Sequence, residues 1–161
     1  MSTSSQPAGS NAPVITKTEV TWRGDRLFDA GLAGRTHRID ANAKEAPGPV
    51  ETLLGALASC SGVDIVEIIA KRKTPVERMV VLVTGERRPE SPRRLMRVEL
   101  EFKIDGASID RDQAERAIQL SFERYCSVAG SLGADIVVET VLTLNGERGQ
   151  PARQKVWTPG G

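Results

Sequence analysis

"LLGALASCSGVDIV", residues 53–66, is the centre of the longest helical candidate in the chain, which runs from Val50 to about Lys73. Its apolar residues (Leu53, Leu54, Leu57, Val63, Ile65, Val66, Ile68 and Ile69) cover nearly every face of a 3.6-residue turn rather than one stripe. A helix apolar all round is a buried helix. One small domain of 161 residues has little else with which to enclose it. The sequence therefore predicts that two copies of the chain pack together through this element.

Working outward, "NAKEAPGP" before the helix is a turn-rich connector whose prolines sit where a helix starts. Further upstream, "TKTEVTW" and "RTHRID" read as two strands joined by the Gly-containing stretch "RGDRLFDAGLAG". Downstream, "VERMVVLVTGERR" reads as a strand, and "LMRVELEFKI" is the cleanest one in the chain. There Met96, Val98, Leu100, Phe102 and Ile104 alternate with Arg97, Glu99, Glu101 and Lys103, one face for the core and one for water. The link "PESPRR" makes these two a hairpin. Asp110, with Gln113 three residues on, caps a second helix carrying Ala114, Ala117, Ile118, Phe122 and Tyr125 to about Ala129. "DIVVETVLTLN" closes as a strand. Strands segregated by two helices predict an α+β fold with an antiparallel sheet. Residues 1–13 have nothing to bury and read as a disordered tail. The domain then spans 14–146, and 147–161 is a polar tail in which "VW" at 156–157 offers a short docking arm.

Composition excludes several function classes. Lys plus Arg is 22 and Asp plus Glu is 21, a net charge of +1 that offers no electrostatic reason to bind nucleic acid or an anionic membrane. The Arg-rich "ERRPESPRRLMR" is interleaved by Glu86 and Glu90 and lacks an aromatic stacking platform, so it reads as a wet hairpin end. The apolar runs are interrupted short of the roughly 20 residues of a membrane span. The N-terminus lacks a basic start and an apolar core, which predicts no secretory leader. Two cysteines without export fit a cytoplasmic setting where thiols stay reduced. Their spacing, with the lone His37, matches no zinc pattern, so no metal is expected.

The cysteines are the chemical candidates. Cys60 lies ten residues into its helix, about 15 Å along the axis, beyond the reach of the helix dipole. It is either an inert small hydrophobe or a nucleophile whose cation comes from another element. Cys126, late in the second helix, has the same two readings.

"PVETLLGALASCSGVDIVEIIAK" followed by "ERYCSVAGSL" resembles the OsmC/Ohr family of thiol peroxidases, over roughly residues 16–146. The resemblance implies an OsmC-like fold, an intertwined homodimer with two central helices packed together, and reduction of organic hydroperoxides without metal, haem or flavin. Carried over, Cys60 is the peroxidatic thiol and Cys126 resolves it as a Cys60–Cys126 disulfide, recycled by an external dithiol of lipoyl type. Glu51 matches the acidic residue at the head of the helix. Nine residues at about 100° each turn it away from Cys60, about 13 Å along the axis, so a catalytic Glu51 belongs to a site shared between subunits. The activating arginine of the family's first hairpin corresponds best to Arg26, with Arg23, Arg35 and Arg38 as neighbours. Peroxidase members usually carry Pro directly after the second cysteine. The "YCSVA" form here is similar to a less characterised branch. The same fold with inert cysteines is consistent with a binding protein for a lipid-like ligand, and with a disulfide that alters partner binding it is consistent with a redox sensor.

Overall fold

A computed structural model describes residues 12–160, so nearly all of the expected N-terminal tail lies outside the described residues. The chain divides into an N-terminal unit ending at Pro49 and a C-terminal unit beginning at Val50.

The N-terminal unit is an antiparallel sheet of β1 (Val20–Trp22), β2 (Leu27–Leu32) and β3 (Arg35–Asp40), in that order. The middle strand corrects the sequence reading, which took "RGDRLFDAGLAG" as a connector. Two turns hide inside that stretch. Gly34 (φ 77°) closes a two-residue turn at Ala33–Gly34. At Gly31 a Cβ would fall 2.1 Å from the Arg35 carbonyl oxygen, so only glycine lets the strands approach there. Asp40 ends β3, and its carboxylate accepts the backbone N–H groups of Asn42, Lys44 and Glu45 at 2.8, 2.9 and 3.0 Å. These donors, Glu45 first, hold its carboxyl below the usual carboxylate range and fold the connector into a compact turn.

The C-terminal unit places α1 (Pro49–Ala70) and α2 (Arg111–Leu120) with a sheet of β4 (Arg78–Arg87), β5 (Leu95–Asp105) and β6 (Val137–Leu144). Two short strands, β7 (Glu147–Arg148) and β8 (Ala152–Arg153), pair with β6. β4 and β5 form the expected antiparallel hairpin, but β5 and β6 run parallel from Arg97↔Val137 to Ile104↔Leu144. The all-antiparallel sheet expected from sequence is thus a mixed one within the α+β class. A hairpin turn reverses the chain, whereas the α2 connection carries it back along the sheet so that β6 starts from the same end as β5.

Val98, Leu100, Phe102 and Ile104 are fully buried, as their alternation requires, but Met96 is 40% exposed and Leu95 faces the core. The register shifts between Glu86 and Arg87, where Arg87 opposes Leu95. A bulge there moves the alternation by one residue.

On α1, Leu57, Ala58, Ser61, Gly62, Ile65 and Ile69 are buried at helical spacing, and the hydrophobic ones join the core with Phe102, Ile118 and Phe122. The opposite face is not enclosed by its own chain: Leu53 and Val63 are 40% and 53% exposed. The expectation of an all-round buried helix therefore fails within one chain. By length and mean hydropathy, 1.8 over its most apolar 18 residues, α1 is also long and apolar enough to cross a bilayer. The interrupted runs read in sequence did not exclude that. Its buried face, however, is already spent on the sheet.

Candidate active site

Cys60 sits midway along α1, half-buried and packed against the core. Cys126 reaches the same place by a break in the second helix. Asp110 caps α2 by accepting the Gln113 N–H at 3.1 Å, as its spacing predicts. Beyond Leu120 the helix widens into a π turn, Ser121–Tyr125, because the Cys126 N–H donates to the Ser121 carbonyl at 2.8 Å instead of to Phe122. The Phe122 carbonyl thus released accepts the N–H of Trp157, at 3.1 Å, from the C-terminal arm. Cys126 (ψ 98°) then leaves the helix and caps α3 (Ser127–Gly130), its Sγ accepting the Ala129 N–H at 3.4 Å. The continuous helix to Ala129 expected from sequence is thereby corrected. The carbonyl left over by the break is satisfied by a residue more than thirty positions away.

The break sets the Cys126 thiol, 5% exposed, in the core that Cys60 packs against, near enough for each to feel the other's charge. Burial pushes Cys126 up to about 12, with the Ala129 N–H pulling the other way and Cys60 and Asp64 adding to the rise. Cys126 is therefore a neutral thiol at neutral pH. Sulfurs from two separate segments meet in one apolar core, both reduced.

Sequence reasoning missed two neighbours. Asp64 lies one turn beyond Cys60 on α1, and its Oδ2 accepts the hydroxyl of Ser121 at 2.8 Å. Ser121 is fully buried. The available signal was a carboxylate inside an otherwise apolar helix, four residues from a cysteine and so on its face. Such a group demands a buried donor.

The remaining candidates are placed as follows. Glu51 stands exposed in the first turn of α1, and the unbroken helix to Cys60 keeps the two on opposite faces. Arg26 is exposed in the β1–β2 turn of the N-terminal unit and makes no ion pair among the described residues. Arg23 and Arg38 are instead both held by Asp29, at 2.8 and 3.0 Å, and hydrogen bonds from Arg38 and Arg23 keep its carboxyl below the usual range. His37 is an exposed β3 residue paired in register with Ala30. Among the described residues, no three His, Cys, Asp or Glu side chains gather as a metal site would require.

The family described as OsmC-like protein matches residues 41–141, a span that contains both cysteines. The chain belongs to the OsmC-like family. Within it, the chain is 35% identical over 115 residues to protein YhfA of Escherichia coli K12, covering 70% of this chain and 86% of YhfA. An OsmC-like protein from Mycoplasma pneumoniae superposes with a TM-score of 0.73 at 18% identity, over 83% of this chain and 99% of that one. The organic hydroperoxide resistance protein OhrB of Bacillus subtilis does so with a TM-score of 0.56 at 15% identity, over 79% of this chain and 98% of its own. At those identities the two structures speak to the OsmC fold alone.

Proposed function

We propose that this OsmC-like protein is a dimeric, cysteine-based reductase of organic hydroperoxides. The observation that carries the reading is the pairing of two reduced thiols in one apolar core, one of them held neutral. The Cys60 thiolate attacks the distal peroxide oxygen, the O–O bond breaks, and the alkoxide leaves as an alcohol after taking a proton. Cys60 is left as a sulfenic acid. Cys126 displaces the sulfenic hydroxyl as water and closes the Cys60–Cys126 disulfide. A lipoyl-type dithiol in a reducing, cytoplasmic setting then exchanges with that disulfide and regenerates both thiols. The resemblance to the family offers Arg26 as the source of positive charge for the Cys60 thiolate and Glu51 of a second copy as the group that orients it. The exposed apolar face of α1 supports the dimer, because Gly55, Ala56 and Ser59 beside Leu53 and Val63 let a second helix approach closely.

Steady-state consumption of cumene hydroperoxide with dihydrolipoamide measures this activity. Cys60→Ser is expected to abolish it, and Cys126→Ser to permit one oxidation per chain and then stall. Undiminished turnover in Cys60→Ser ends the proposal. A Cys60 thiol that titrates at or above the ~8.5 of a free cysteine would point instead to ligand binding.

A further inference from the structure

The surroundings of the second cysteine contain a polar chain that no step above uses. Asp64 accepts the Ser121 hydroxyl at 2.8 Å, and the Ser121 carbonyl accepts the Cys126 N–H at 2.8 Å. Ser121 thus grips the carboxylate with its side chain and the cysteine with its backbone, inside a π turn, the helix irregularity that recurs at functional sites. Both Ser121 and Cys126 are buried, so no bulk water is at hand to carry a proton away. The titratable groups whose charge Cys126 feels are Cys60 and Asp64 from α1. On its own segment the charged neighbours are Arg124, which is exposed, and Glu123, engaged by Gln119 and Arg116.

We propose that Asp64, held by Ser121, positions Cys126 against Cys60 and accepts the Cys126 proton as the disulfide closes. In that step an electron pair of the Cys126 sulfur forms the S–S bond and the S–O bond of the Cys60 sulfenic acid breaks. The Cys126 proton passes to the Asp64 carboxylate and from there to the departing hydroxide, which leaves as water. One sulfur is oxidised and the other reduced, and no further reactant enters. The same relay serves any attack of Cys126 on a Cys60 mixed disulfide, with a thiolate leaving in place of hydroxide. The physiological use of this relay rests on the reductase reading, whereas the relay itself can be measured without any peroxide.

The measurement uses 5,5′-dithiobis(2-nitrobenzoate) on the reduced full-length protein. Cys60 attack releases the first thionitrobenzoate, and Cys126 attack on the resulting mixed disulfide releases the second. Asp64→Asn is expected to slow the second release by about 10-fold or more at pH 7, the low side of what positioned proton transfer contributes. The first release should change less than twofold. The deficit should close as pH rises and Cys126 ionises unaided, and Asp64→Glu should restore part of the rate. Ser121→Ala, which removes the grip and keeps the backbone bond, should slow the same phase and supplies the result if Asp64→Asn does not fold. An unchanged or faster second release in Asp64→Asn overturns the proposal. Faster release is what a carboxylate acting only as a repelling charge would give. Absence of hydroperoxide turnover in a wild type with a normal second phase would remove the reductase reading and leave the relay standing.

Discussion

Cys60 and Cys126 are the same residue type at two depths of burial, and the proposed order of attack rests on that difference. Cys126 is buried enough that removal from water dominates its chemistry, while Cys60 is half-buried at the edge of the core. In a Cys60→Ser protein, iodoacetamide labelling of Cys126 should remain slow through neutral pH, with a midpoint well above the ~8.5 of a free cysteine. Because the native value is raised above the unfolded one, its burial costs nothing below about pH 8.5. Stability then falls as pH climbs toward the native value of about 12. Urea midpoints at pH 7 and pH 10, compared with Cys126→Ala, read that loss, and labelling with an ordinary midpoint would mean the thiol is open to water. The sequence named both cysteines and could not rank them. Nothing in "ERYCSVAG" records that an N–H from residue 157 takes up the Phe122 carbonyl that the π turn leaves free.

The elements themselves follow local rules until long-range contacts intervene. α1, β4 and β5 stand close to where periodicity put them, and Asp110 caps α2 as its spacing implies. β2 was missed because its alternation is blurred by Asp29 and Gly31, and the break at Cys126 because a π turn has no sequence signature. That break also bears on Ser127, the position where the family resemblance leads one to expect proline. Ser127 is the first residue of α3, and Cys126 before it is extended (φ −68°, ψ 98°), the conformation a following proline demands. Ser127→Pro is therefore expected to be accepted, raising stability by about 0.5 kcal/mol through the unfolded chain. A clear drop in thermal midpoint would show that the π turn relies on freedom at residue 127.

At the scale of the molecule, the unfinished business lies on the outer face of α1. A helix that gives Leu57, Ile65 and Ile69 to its own sheet still leaves Leu53 and Val63 in water, with small residues between them. Val63→Glu places a charge in the middle of that face without touching the core. It should leave the circular dichroism unchanged and weaken self-association by at least about 2 kcal/mol, ~30-fold in dissociation constant. Sedimentation equilibrium reads this directly. An unaltered assembly in the variant would move the interface elsewhere.

By itself the sequence determined the α+β class, the central helix, the hairpin, the α2 cap and the two sulfurs, because each depends on residues a few positions apart. Only the tertiary structure decided that β6 lies parallel to β5, that the second helix opens at Cys126, and that Asp64 finds Ser121. Those outcomes depend on hydrogen bonds between residues tens of positions apart, and local composition cannot specify which distant group will satisfy a buried one.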